Sequence, residues 1–207
     1  AARKLHRSLQ RGARVTFDEA EALTSVDVDA GEAAARASAL TINEGAAKEI
    51  AQALRMREVA GQVLIDFAGL GRGKERSSVR RAFERAAAGD PAAVQVFGFT
   101  KLGLMELTRQ RTRVSLLSAW SEPDEGRLFP GRRLKAGRIA RLAIHGLERA
   151  LAEHVADRIR LDLSSQAAAY IEQRPRWSSR LKARFGARFE IRASAAQARE
   201  TFDVRPV

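Results

Sequence analysis

Two β-rich runs flank the acidic turn Asp18-Glu19-Ala20-Glu21 in "ARVTFDEAEALTSVDVDA". The pattern predicts a hairpin. Its second run carries Asp27 and Asp29, and strand alternation points both to one face. The stretch "GEAAARASAL" then reads as a small-residue loop. Beyond it the apolar period lengthens. Ala47, Ile50, Ala51, Leu54 and Val59 approximate a helical stripe, with Asn43 as the expected N-cap and Gly61 as the stop. "QVLIDFAGL" is a continuous apolar run interrupted by Asp66, and it predicts a strand covered on both faces. Strand, helix, strand in this order is a βαβ unit with parallel strands.

Further along, "GKERSSVRRAFERAAAGD" reads as a basic helix ending near Gly89, and "AVQVFGFT" as a strand. "KLGLMELTRQR" reads as a turn leading into a short helix, with Phe97, Phe99 and Leu102 as core. Pro123, Gly126, Pro130 and Gly131 then mark a linker. After it come a long helix, "RLKAGRIARLAIHGLERALAEHVA", a strand, "RIRLDLS", and a helical region broken at Pro175. "ARFEIRAS" and "ETFDVRPV" close the chain. The expected organisation is a unit over 1–118, a linker over 119–131 and a smaller α/β unit over 132–207.

Composition narrows the function classes. The 207 residues are 45% hydrophobic and 30% charged, which fits a folded globular protein. A net charge of +12 favours an anionic partner, nucleic acid before membrane surface, although a bias toward Ala and Arg produces the same number. Basic residues outnumber acidic ones 19 to 14 in 1–117 and 18 to 11 in 118–207, so neither half is an acidic regulator. The absence of cysteine excludes disulfides, Cys-ligated zinc and a thiol nucleophile. His6, His145 and His154 show no metal-ligand spacing. No apolar run approaches the roughly 20 residues of a membrane span, and no signal peptide is visible. The first residue is Ala, and the chain reads as a piece of a longer protein.

Asp27 and Asp66 fall at the ends of successive strands of the βαβ unit. Parallel neighbours present their C-terminal ends on one sheet edge, where ligand sites form. Asp27, Asp29 and Asp66 are therefore expected to converge. Grouped carboxylates repel one another, and Mg²⁺ or Mn²⁺ between them relieves the cost. Arg72, Lys74, Arg76, Arg80 and Arg81 follow Asp66, and Lys101, Arg109, Arg111 and Arg113 come later. An acidic centre in a basic surround is the electrostatics of a metal-dependent nuclease. Each feature also has a plainer reading. A strand-end Asp caps turns, and a basic helix presents a solvated face. Arg109 and Arg111 either contact phosphate or pair with Glu106 or other carboxylates and fix the sheet edge. Trp120 and Trp177 either stack on bases or pack between elements.

The order "EALTSVDVDAG", "INEGAAKEIAQALRMREVAGQVLIDFAGL", "FGFTKLGLMELTRQR" resembles the catalytic core of the bacterial ribonuclease E/G family, from about Arg14 to Arg113. "LSSQAAAYIEQRP…RFGARFEIRAS" is more faintly similar to that family's small C-terminal domain. The resemblance implies a DNase I-like α/β fold, a mixed sheet with flanking helices followed by a smaller α/β domain. It implies an endoribonuclease that hydrolyses single-stranded RNA to 5′-phosphate and 3′-hydroxyl ends, in a bacterial cytoplasm. On it, Asp27 and Asp66 are the catalytic metal ligands for Mg²⁺, and Asp29, standing where the family has asparagine, orients a metal water or adds a ligand. Arg72, Lys74, Arg76, Lys101, Arg109 and Arg111 are the expected RNA-binding residues.

The chain also departs from the family. The cysteine pair that links subunits through zinc is missing, so no zinc is expected and any homo-oligomer lacks that link. The glycine-rich acidic loop is shortened to "GEAAARASAL", and a second family aspartate falls at Gly69. The OB-fold, 5′-end-sensing and RNase H-like parts that precede the core in the family have no counterpart in this stretch. Weaker and strongly salt-dependent RNA binding is expected. A non-catalytic RNA-binding relative and a basic assembly module are the alternatives. The metal reading requires Asp27 and Asp66 within roughly 8 Å, given Mg–O distances of about 2.0–2.1 Å.

Overall fold

The computed structural model describes residues 5–8, 12–71, 73–124 and 131–207. The chain divides into two compact units, 1–119 and 120–207.

The first unit is built on a six-stranded mixed sheet. Its strands are β1 (Leu5–Ser8), β2 (Arg14–Glu19), β3 (Thr24–Asp29), β4 (Gly61–Asp66), β5 (Val94–Phe99) and β6 (Met105–Arg109), in the order β1-β2-β3-β4-β6-β5. Only β3 and β4 run parallel; every other pair is antiparallel. Helix α1 (Ala39–Met56) makes the crossover between β3 and β4, as the βαβ pattern requires. Period two decides the faces. Thr24, Val26 and Val28 are buried while Ser25, Asp27 and Asp29 are exposed. Val26, Val28, Val63 and Ile65 form one core with Ile50 and Leu54 of α1 and with Val79 and Phe83 of α2 (Lys74–Ala87).

Several expectations are corrected. The run around Asp66 is covered on one face: Val63 and Ile65 are buried, but Gln62 and Asp66 are exposed. The cap of α1 is Ser38, whose hydroxyl accepts from the Thr41 N–H, and Asn43 lies inside the helix, fully buried. The segment Met105–Arg109 is strand and not helix. Met105, Leu107 and Arg109 alternate inward, while Glu106 and Thr108 face the other way. The β5–β6 turn passes through Gly103 at φ +96°. Phe99 packs against the core, but Phe97 and Leu102 are exposed, Leu102 at the turn and Phe97 at a bulge in β5.

The second unit begins where a linker was expected. Ser121–Asp124 (β7) pairs antiparallel with Gly131–Leu134 (β8). Between them, 125–130 lie outside the described residues. The long helix α4 (Ala136–Glu153) follows, after the short α3 (Leu116–Trp120) that precedes β7. Three strands form the second sheet, in the order β10 (Phe189–Ala193), β9 (Ile159–Leu163), β11 (Phe202–Pro206). β10 runs parallel to β9 and β11 antiparallel. Helices α5 (Ser165–Glu172) and α6 (Pro175–Phe185) connect β9 to β10, and Pro175 opens α6 at its first turn. Ile139, Ala143 and Leu147 of α4 pack with Ile159, Leu161 and Leu163 in its core. No helix among the described residues is long and apolar enough to cross a membrane.

Candidate functional site

The parallel register sets Asp27 directly beside Asp66 as Cα partners. One inter-strand spacing of about 4.8 Å separates the two backbones, well inside the roughly 8 Å that shared Mg²⁺ coordination allows. Partners in register share a face, and both residues stand on the exposed face of the sheet. Among the described residues neither carboxylate has a hydrogen bond or ion pair. Two carboxylates directly opposite on neighbouring strands repel one another.

Asp29 does not join them. It stands beyond the last β3–β4 pair, its Oδ1 accepts the Gly31 N–H at 2.9 Å, and its Oδ2 lies 3.7 Å from Arg14. Accordingly, no group of three or more His, Cys, Asp or Glu side chains able to hold a metal occurs among the described residues. The expected trio reduces to a pair. A pair still fits Mg²⁺, which is held by one or two carboxylates and takes its remaining oxygens from water and phosphate.

The expected basic residues divide by position along the sheet. β6 runs against β4, so Met105 stands beside Ile65 at the Asp66 end and Arg109 beside Gly61 at the far end. The turn from Thr100 to Leu104 therefore flanks Asp66. It is closed by Thr100 N–H to Leu104 O at 2.8 Å and Gly103 N–H to Thr100 O at 3.1 Å. Lys101, exposed on this turn, is a cation of the carboxylate edge. Arg76 reaches the same edge from α2 but is engaged. It donates to Gly71 O at 3.2 Å and lies 5.4 Å over the Phe99 ring. A Cβ on Gly103 would meet its guanidinium at 2.9 Å. Lys74 is exposed in the first turn of α2. Arg72 lies outside the described residues.

Arg109 is not available to RNA. It is 2% exposed, and its guanidinium is spent on Asp90, Glu58 and the Val59 carbonyl. The partners of the pairing alternative are thus Asp90 and Glu58, and Glu106 is on the opposite face of the strand. Burial alone would raise the Asp90 carboxyl, but the hydrogen bond from Arg109 and the Ala92 N–H, with the Arg109 and Arg55 charges, hold it below its ordinary value. The Asp90 hydrogen bond in turn raises Arg109 against the effect of its burial. Arg111 is exposed, and a Cβ on Gly61 would meet its guanidinium at 3.3 Å, which puts it at the far end, five strand residues or roughly 16 Å from Asp66 at ~3.3 Å per residue.

One supporting residue was missed by sequence reading. Asn43 Nδ2 donates to Ala68 O at 2.8 Å, and Ala68 N–H donates to Asn43 Oδ1 at 3.1 Å. This two-way bond pins the loop that follows Asp66 to helix α1. The signal was present as an Asn at an apolar-stripe position, where a helix cap was the easier interpretation.

A model of the ribonuclease E/G family matches residues 1–112. Ribonuclease E of Nostoc sp. is 38% identical over 107 residues, covering 50% of this chain and 16% of the relative. Ribonuclease G of Escherichia coli K12 is 34% identical over 112 residues, 52% of this chain and 23% of the relative. A chloroplastic ribonuclease E/G-like protein of Arabidopsis thaliana is 31% identical over 121 residues, 56% of this chain and 12% of the relative. The chain thus spans less than a quarter of the length of each of these relatives.

Proposed function

This chain belongs to the ribonuclease E/G family, and we propose that it is the divalent-metal-dependent core of an endoribonuclease that hydrolyses single-stranded RNA, leaving 5′-phosphate and 3′-hydroxyl ends. The observation that carries the proposal is the in-register pair Asp27–Asp66, two exposed carboxylates without a partner among the described residues, at the C-terminal edge of the parallel strands. Asp27 and Asp66 would hold Mg²⁺ or Mn²⁺. Such an ion, when bound, offsets phosphoryl charge and lowers the pKa of a water.

The chain's own residues have three tasks in this reading. The parallel register fixes Asp27 and Asp66 at one spacing, so no loop has to order before a metal can be shared. Asn43 holds the 67–69 loop behind Asp66 and keeps that carboxylate at the strand end. Lys101 and Lys74 supply positive charge for the phosphodiester backbone. Arg76 keeps the β5–β6 turn against the loop at Gly71 and so holds Lys101 in place.

Cleavage of a short fluorescent single-stranded RNA tests the reading, with Mg²⁺ and with EDTA, for wild type and Asp66→Asn. Cleavage that needs Mg²⁺ and disappears in Asp66→Asn is the expected result. RNA binding that is indifferent to metal, with no cleavage, would replace the enzyme with an RNA-binding relative.

A further inference from the structure

A second basic surface lies in residues 120–207, outside the segment the family model matches. A cavity of about 510 Å³ is lined by Arg138, Arg141, His145 and Glu148 of α4 and by Trp177 and Arg180 of α6. On α4 these residues follow at intervals of three, four and three, which places them in one stripe. Trp177 and Arg180 are three apart on α6 and present a second stripe to the same space.

The arginines around this cavity are less engaged than Arg76, Arg80 and Arg109 of the first unit. Arg80 and Arg109 are paired with carboxylates, and Arg76 is bound to a carbonyl. Among the described residues Arg141 and Arg180 make no ion pair or hydrogen bond, and Arg138 lies 4.0 Å over the Trp120 ring without a carboxylate. The one acidic residue of the cavity, Glu148, stands 3.5 Å from His145. Trp177 is half-buried and fixed by Tyr170, ring centroids 6.0 Å apart, and Tyr170 is in turn covered by Arg174 at 3.5 Å. The indole is therefore held in place before any ligand arrives.

Free guanidiniums around a fixed aromatic wall are the chemistry that binds unpaired nucleotides, with phosphates on the cations and bases on the ring. A duplex keeps its bases stacked inside and has nothing to offer the indole. We propose that the cavity between α4 and α6 is a binding site for single-stranded RNA, with Arg138, Arg141 and Arg180 taking phosphates and Trp177 taking a base. The proposal rests on the reading of this protein as acting on RNA and adds a hold on the strand apart from the carboxylate edge.

The test is fluorescence anisotropy of a labelled oligouridylate, ten nucleotides long, titrated with the whole chain in EDTA across a salt series. Arg141→Ala/Arg180→Ala should weaken binding about tenfold and make the log–log salt slope shallower by about 1.4, the loss of two single-strand phosphate contacts. Arg149→Ala, on α4 but outside the cavity, should change affinity by less than about twofold. Arg141 and Arg180 are exposed, so the double variant retains its fold. Tryptophan emission should be quenched by the oligonucleotide and not by inorganic polyphosphate. Unchanged affinity and slope in the double variant overturn the site, and equal quenching by polyphosphate overturns base stacking. Wild type that fails to cleave with Mg²⁺, while the double variant still loses binding, removes the nuclease reading and leaves this site. Normal cleavage with unchanged binding removes this site alone.

Discussion

Arg109 and Asp90 meet fork to fork, Arg109 Nε 2.8 Å from Asp90 Oδ2 and Nη2 3.0 Å from Oδ1, with both side chains almost wholly buried. The pair closes the end of the sheet remote from Asp27 and Asp66. Asp90 ends the loop after α2 and accepts the Ala92 N–H at 2.9 Å, while Arg109 also holds Val59 O and Glu58 after α1. A cation for which the sequence left RNA contact and carboxylate pairing equally open is thus the tie between two loops and the last residue of β6.

Removing one partner strands a buried charge. Arg109→Met should cost roughly 3–5 kcal/mol in urea unfolding. Arg109→Lys should recover only part of that, because an ammonium cannot make the parallel fork. The salt dependence of RNA binding by folded Arg109→Lys should match wild type. A slope shallower by a full phosphate contact would return Arg109 to the RNA surface.

The same pair sets an acid limit on stability. Asp90 is held below its ordinary value of 3.8 in the folded chain. A carboxyl of this kind contributes stability that is fully present above its unfolded value and is lost as pH falls through the lower, folded value. The free energy of unfolding should therefore fall with acid below pH of about 4, and it should fall less steeply in Asp90→Asn, which is less stable at neutral pH. Parallel curves for the two proteins over that range would show that Asp90 is not the titrating group.

Much of the site's geometry was legible because it depends on short-range pattern. Period two in β3 exposes Asp27, and the βαβ order makes β3 and β4 parallel, so Asp66 had to stand near it. What escaped depends on residues far apart. The inward turn of Arg109 follows from the register of β6, and its partners lie 19 and 51 positions away. The strand itself was concealed because Leu102 and Leu104 precede it and blur the alternation that begins at Met105. Ser38, the true cap of α1, lay within a run of small residues that carried no helical period, while Asn43 stood nearer the visible stripe.

Asn43 offers a separate check on how the Asp66 end is held. Asn43→Ala leaves the Ala68 N–H and C=O without their partner in a part-buried setting. The expected cost is about 1–3 kcal/mol in global stability. Hydrogen exchange at the Ala68 amide should accelerate beyond what that global loss explains, since the loop opens while the sheet remains. If cleavage depends on Asp66 being fixed, the variant loses turnover while its RNA affinity stays near wild type. Exchange at Ala68 that merely follows global unfolding would show that the loop is held by other contacts.

The Asp27–Asp66 pair makes a prediction independent of catalysis. Like charges directly opposite on neighbouring strands destabilise a sheet by about 0.2–1 kcal/mol. In EDTA, Asp27→Asn should therefore be more stable than wild type by that amount, an unusual sign for a substitution at a strand end. Adding Mg²⁺ should reverse the order. A cation that binds only the folded chain stabilises it by RT ln(1 + [Mg²⁺]/Kd), about 1.4 kcal/mol at ten times Kd, and Asp27→Asn should lack most of that gain. Thermal unfolding of the two proteins with and without Mg²⁺ reads both effects at once. Wild type that gains nothing from Mg²⁺ while Asp27→Asn stays the more stable would mean that the carboxylates repel without sharing an ion. Arg14, already 3.7 Å from Asp29 on the neighbouring strand, and Lys101 on the turn beside Asp66 would then be the cations left to compensate the edge.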